Sequence, residues 1–152
     1  MEKLRIGVIG AGSMGRNHVR ILSAEKGNFV FVGFFDADQA RAEEVSRQFS
    51  ATAFPSVEAL MERVDAVTIA APSASHKALA LAACRHGLHA LVEKPLALTL
   101  ADAEEISDAF SSAGRVLAVG HVERFNPVVT ELCKLVQHEK VLALEVRRYS
   151  PY

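Results

Sequence analysis

Three glycines fall within six residues, Gly10-Ala11-Gly12-Ser13-Met14-Gly15, and their types and spacing suit the binding of a diphosphate. Gly10 permits a tight turn. Gly12 has no Cβ, so a pyrophosphate can approach the main chain. Gly15 lets a following helix pack close to a preceding strand. Unpaired amides at the head of that helix, at Ser13 and Met14 as well as the glycines, then face the phosphates, aided by the positive end of the helix dipole. The flanks agree. Leu4 to Ile9 is a short, β-branched apolar run of strand length. Ser13 to Leu22 has helical spacing, with Met14, His18, Val19, Ile21 and Leu22 able to share one side. A second apolar run, Phe29 to Phe35, ends in Asp36, which lies about 20 residues past the last glycine, where a ribose-binding acid belongs. Such a pattern alone also describes a structural turn that binds nothing. Strand, glycines, helix, strand and acid in this order point instead to dinucleotide binding.

The elements that must position these residues form a chain of 152, half of it hydrophobic and 23% charged, with a net charge of −1. That suffices for one real core. The lack of a basic excess removes the electrostatic footprint of nucleic-acid binding. No apolar run reaches the roughly 20 residues of a membrane span. Met1-Glu2-Lys3 leads into the first strand with no signal peptide. Cys84 and Cys133 form no CxxC and read as reduced, half-buried thiols of a cytoplasmic protein.

Along the chain, Asp38 can cap a helix reaching Phe49, with Ala40, Val45 and Phe49 inward. Thr52 to Phe54 suits a short strand broken by Pro55. Ser56 caps a brief helix with Val57, Leu60 and Met61 inward. Val64 and Ala66 to Ala71 form a nearly uncharged run, as a central parallel strand requires, and Pro72 ends it. The spacing predicts an alanine-rich helix over Ser75 to His86, closed by Gly87 in a left-handed cap. Leu88 to Val92 is the next strand, ending at Glu93-Lys94-Pro95. Thr99 caps a further helix, with Asp102 completing a variant capping box and Ile106, Ala109 and Phe110 facing the sheet. Gly114 ends it, and Val116 to Val119 is one more strand. The alternation predicts an α/β fold: a Rossmann-type, doubly wound parallel sheet with helices on both faces. Past Gly120 the pattern changes. Asn126 caps and Pro127 opens a helix to about Gln137, and Val141 to Arg148 alternates as a half-buried strand of a different sheet.

Together these residues resemble the Gfo/Idh/MocA sugar oxidoreductases over essentially the whole chain. The resemblance rests on the glycine turn followed by His18, on Asp36, on Ala70-Ala71-Pro72 with His76, and above all on Glu93-Lys94-Pro95-Leu96. Gly120 to Pro127 also resembles one branch, the UDP-N-acetylglucosamine 3-dehydrogenase-like proteins. The resemblance implies an NAD-dependent enzyme moving hydride between nicotinamide and a sugar or nucleotide-sugar hydroxyl or carbonyl. Lys94 would contact the reacting oxygen, polarising it or relaying a proton if burial lowers its pKa. Glu93 would orient Lys94 or touch the nicotinamide ribose. Pro95 is often cis in this family. Ala71, Pro72 and His76 would border the cofactor, although a histidine there also suits a local hydrogen bond. Arg124 would reach substrate or cofactor, with a salt bridge to a nearby acid as the alternative. His86, His89, His121 and His138 show no metal-ligand spacing, so no metal is expected.

Asp36 is followed by Ala37 and Asp38 rather than arginine, so a 2′-phosphate would meet two carboxylates, favouring NAD over NADP. Family members are about twice this length, so residues 1–120 read as the coenzyme domain. Residues 121–152 read as the entry helix and first strand of a substrate domain otherwise absent. The chain is then a truncated or shortened relative, or part of a longer enzyme. The alternative function is a catalytically silent dinucleotide-binding module. The last strand, with unpaired edges, would pair with its copy in a homodimer or fold back.

Overall fold

A computed structural model describes residues 3–25, 27, 29–137, 140–143, 145, 147 and 149. The chain divides into two units, Met1–Gly120 and His121–Tyr152. In the first unit, β1 (Leu4–Ile9), β2 (Phe29–Phe35), β3 (Ala66–Ile69), β4 (His89–Val92) and β5 (Leu117–Val119) make one parallel sheet in the order β2-β1-β3-β4-β5. All strands run the same way, so their carboxyl ends share one edge. The chain leaves β1 for β2 on one side and returns to β3 on the other. This reversal opens a crevice at the ends of β1 and β3.

Neighbouring residues of β1 serve opposite faces, as a strand's period of two requires. Val8 packs with Val19, Leu22, Phe34 and Val45 beneath α1 (Ser13–Ala24) and α2 (Gln39–Phe49). Ile9 packs with Leu60, Ile69, Ala80, Ile106 and Phe110 beneath α3 (Val57–Met61), α4 (His76–Arg85) and α5 (Leu100–Ser112). All four residues of β3 are buried, Thr68 among them, matching its uncharged run.

Local chemistry sets the helix ends. The side chains of Asp38, Ser56 and Thr99 each accept from an amide in the first turn of α2, α3 and α5. Gly87 (φ +72) follows α4, and Gly114 (φ +62) follows α5. Asp102 makes half of the expected capping box; its carboxylate turns instead to Lys77 of α4, 2.5 Å away. Lys77 also reaches Glu105 at 2.7 Å, which ties α4 to α5.

Several expectations differ. Ala42, not the exposed Ala40, joins Val45 under α2. The buried line of α1 is Gly15, Val19 and Leu22, while Met14 and Ile21 lie at its exposed margin. Thr52–Phe54 forms only a bridge, Phe34 with Ala53, because Pro55 has no N–H to extend the ladder. The helix expected from Ser75 opens as a 3-10 turn, Ser73–Ser75. Cys133 is exposed rather than half-buried.

In the second unit a 3-10 turn (Val122–Phe125) precedes α6 (Pro127–Val136), which Asn126 caps. The strand expected over 141–148 is absent at 141–143, 145 and 147; Leu144, Val146 and Arg148 lie outside the described residues. A strand exists through its ladder, and no neighbouring strand is present among the described residues of this unit. The expected pairing with a second copy, or folding back, concerns residues that lie partly outside the described ones. No helix among the described residues is long and apolar enough to cross a membrane.

Candidate functional site

The crevice at the strand ends gathers Gly10, Gly12, Met14, Asp36, Arg41, Ala70, Ala71, Pro72, Ser73, His76, Glu93 and Lys94 around a cavity of about 300 Å³. Its floor is the glycine turn. Gly10 holds φ +90, and a Cβ there would lie 2.7 Å from the amide nitrogen of Ala71. Its own amide donates to the Phe35 carbonyl at 2.8 Å, joining the ends of β1 and β2. A Cβ on Gly15 would lie 1.8 Å from the Gly10 oxygen, so α1 rests directly on the strand end. Gly12 is different in kind: a Cβ there meets nothing within 4 Å. Its missing side chain leaves room in the crevice.

Gly12 is also the N-cap of α1 and supplies no side-chain acceptor, and the first turn of α1 holds no acid. Unlike α2, α3 and α5, this helix therefore offers its first amides, at Ser13, Met14 and Gly15, without a side-chain cap. Uncapped donors beside open space fit an anion.

Asp36 follows β2 directly and is 9% exposed. Its Oδ2 accepts from Ala11 N at 2.6 Å and its Oδ1 from Asp38 N at 2.8 Å. Two amides thus hold the carboxylate against the glycine turn, where a ribose diol would find acceptors. Arg41 adds a third partner, its Nη1 lying 3.1 Å from Oδ1.

On the other side, β4 delivers Glu93 and Lys94. Glu93 is 5% exposed. Its Oε1 lies 2.8 Å from His18 Nε2 on α1, and its Oε2 lies 3.4 Å from the Lys94 main-chain nitrogen. Gly120 makes room for it: a Cβ there would lie 2.9 Å from Oε2. Glu93 therefore acts on Lys94 through the main chain rather than through its ammonium. Lys94 is exposed, and its ammonium has no ion pair or hydrogen bond among the described residues. The burial expected of a proton-relaying lysine is not supplied by this unit. The Lys94–Pro95 bond is cis.

His76 borders the crevice but is 1% exposed. Its Nδ1 lies 2.7 Å from the Pro95 oxygen and its Nε2 2.9 Å from the Ala71 oxygen; which nitrogen donates depends on the tautomer. Both nitrogens face main-chain carbonyl oxygens, and a neutral ring donates to one of the two, so the ring is turned to the main chain of Ala71 and Pro95 rather than to the open crevice. Arg124 is exposed in the second unit, on the turn Val122–Phe125. Among the described residues no three metal-ligating side chains come together.

Two site residues escaped the sequence reading. Arg41 stands one turn into α2, and the spacing Asp36-x-Asp38-x-x-Arg41 was its available signal. His18 stood in the motif, but its partner lies 75 residues away.

The family model described as an oxidoreductase family with an NAD-binding Rossmann fold matches residues 4–121. UDP-N-acetylglucosamine 3-dehydrogenase of Acidithiobacillus ferrooxidans is 39% identical over all 152 residues, which cover 47% of that relative. Its solved structure superposes with a TM-score of 0.81 at 38% identity, over 89% of this chain and 44% of that one. GenD2 from gentamicin A biosynthesis, solved in complex with NAD, gives a TM-score of 0.84 at 27% identity, over 91% of this chain and 40% of the other. The chain thus spans less than half the length of these relatives.

Proposed function

The chain belongs to the Gfo/Idh/MocA oxidoreductases, the family with an NAD-binding Rossmann fold, and on that premise we propose that its first unit binds NAD across the crevice and serves hydride transfer to or from a sugar or nucleotide sugar. The observation that carries this reading is the uncapped head of α1 beside open space at Gly12, with Asp36 on one flank and Glu93-Lys94 on the other. The amides of Ser13, Met14 and Gly15 bind the pyrophosphate, and Asp36 accepts from the adenosine ribose hydroxyls. The coenzyme would supply the hydride acceptor in its oxidised form and the donor in its reduced form. Lys94 donates its hydrogen bond to the reacting oxygen, polarising a carbonyl or stabilising an alkoxide. Glu93, held by His18, fixes the main chain from which Lys94 projects.

NAD is the preferred coenzyme because Asp36 and Asp38 oppose a 2′-phosphate. Replacing Asp36 with Ser and Ala37 with Arg moves preference toward NADP; titration of both coenzymes without a shift contradicts this placement. The relative with 39% identity is named for UDP-N-acetylglucosamine, which supports a nucleotide sugar as substrate.

The exposure of Lys94 favours a second reading for the isolated chain, a coenzyme-binding module without turnover. Unpositioned substrate forfeits orientation effects worth up to roughly 7–11 kcal/mol. The test is NADH formation with a panel of sugars and UDP-sugars, after NAD affinity is measured. Turnover lost by about 10²–10⁴-fold in Lys94→Ala, with NAD affinity kept, supports the enzyme. Binding without turnover supports the module.

A further inference from the structure

We propose that the His18–Glu93 pair sets which redox form of the coenzyme the crevice prefers, and that His18 makes this preference depend on pH. This rests on the dinucleotide reading above, with the nicotinamide beside Lys94. The observation is a buried carboxylate at that end of the crevice whose side-chain partner is an imidazole. The Glu93 side chain is 7% exposed and that of His18 is 24% exposed. Glu93 Oε1 lies 2.8 Å from His18 Nε2, and Oε2 lies 3.4 Å from the Lys94 main-chain nitrogen. Gly120 walls the other side, where even a Cβ would come within 2.9 Å of Oε2. As placed, the carboxylate answers to His18 and not to the exposed Lys94 ammonium.

Oxidised NAD and NADH share their phosphates, riboses and adenine. They differ by one positive charge on the nicotinamide ring, so the difference between their affinities reads the charge of this end alone. Glu93 brings one negative charge there and Lys94 one positive. With His18 neutral these offset each other. With His18 protonated, the imidazolium pairs with Glu93 and leaves one net positive charge, which disfavours the oxidised ring. Histidine is the side chain whose charge changes between about pH 5 and 8. Affinity for oxidised NAD therefore rises with pH relative to NADH, and by linkage the oxidised form expels a proton from His18 as it binds. Oxidation of a hydroxyl passes hydride to NAD and frees a proton, so the pair favours the oxidised coenzyme under the conditions that favour that direction.

The remaining titratable groups nearby have other partners or face solvent. His18 borders a cavity of about 340 Å³ to which β1, β3 and β5 bring Ile6, Ala66, Val67, Thr68, Val116 and Ala118, none of which titrates. β4 adds His89 at its far end, where Nδ1 accepts from the Val116 amide at 2.9 Å. On α1, Arg16 pairs with Glu44 of α2 at 2.8 Å, and Arg20 is exposed.

The test is titration of the full chain and its His18→Gln variant with NAD and with NADH between about pH 6 and 8, with melting curves to confirm folding. Glutamine can still donate to Glu93 but cannot charge. In the wild type the ratio of the NADH to the NAD dissociation constant should rise about three- to tenfold across this range. In His18→Gln it should stay flat. Calorimetry in buffers of different ionisation heat should show the wild type releasing more of a proton to NAD than to NADH. If His18→Gln does not fold, the His18 ring followed by NMR decides: it should hold its proton to higher pH with NADH bound than with NAD. A ratio that ignores pH in the wild type, the same pH dependence in His18→Gln, or a ring that titrates alike in both complexes overturns the proposal and leaves the dinucleotide reading standing. If neither coenzyme binds, that reading fails and this inference with it.

Discussion

A methyl group at Gly15 would sit 1.8 Å from the Gly10 oxygen, while one at Gly12 would meet nothing within 4 Å. The two glycines are therefore separable by experiment. Gly15→Ala should destabilise the fold by about 3 kcal/mol, because main chain cannot yield as a flexible side chain does. Gly12→Ala should melt within roughly 0.5 kcal/mol of the wild type. It should nonetheless lose NAD affinity by at least about tenfold, or 1.4 kcal/mol, since the added methyl enters the space left for the pyrophosphate. Denaturant melts and coenzyme titrations of both variants check this. Loss of stability in both would make Gly12 structural as well. At this scale the sequence was most informative where a residue's role is local. The glycines and Asp36 announce themselves by spacing. His18 does not, because what it does depends on where Glu93 arrives in space.

Among elements, the strand ends opposite the crevice are tied by one ion pair. Asp65, between α3 and β3, accepts from the Arg5 amide at 2.9 Å and pairs with its guanidinium at 2.6 Å. Its amide and carbonyl bond Arg5 O and His89 N, so the starts of β1, β3 and β4 meet there. The side-chain hydrogen bond from Arg5, then the main-chain one, lowers its pKa from 3.8 to about 2. A depressed carboxyl pKa contributes stability above the unfolded value and loses it as pH falls through the folded one. The wild type should therefore lose stability from about pH 4 down to pH 2 more steeply than Asp65→Asn. Acid melts of the two proteins check the slope, and parallel curves would show the pair to be idle. Because both partners are more than a third exposed, the effect should be small, at most about 1 kcal/mol. At the helix caps, Thr99→Ala should cost about 1 kcal/mol in a thermal melt. Caps were legible because the signal and its partner lie three residues apart, as with Asp38, Ser56 and Thr99. Thr52–Phe54 and the described residues 141–143, 145 and 147 show the reverse: local pattern marks a willingness to form a strand, but a ladder needs a partner that local pattern does not name.

At the scale of the whole molecule, the parallel sheet explains why residues from four separate strand ends meet. Each strand delivers its last residues to one edge, and the reversal between β1 and β3 leaves a crevice there. The fold was legible because strand and helix alternate with clear punctuation, and the family match over residues 4–121 agrees with it. The substrate side is a different matter: the chain spans less than half of the relatives it matches, and Lys94 faces solvent. The central claim is that the crevice of the first unit holds a nicotinamide dinucleotide. Calorimetric titration of the purified chain with NAD, with melting curves at saturation, tests it most directly. The account predicts one saturable site per chain and, at 100 times the dissociation constant, about 2.7 kcal/mol of added stability. No heat and no shift in melting with either NAD or NADP would contradict it.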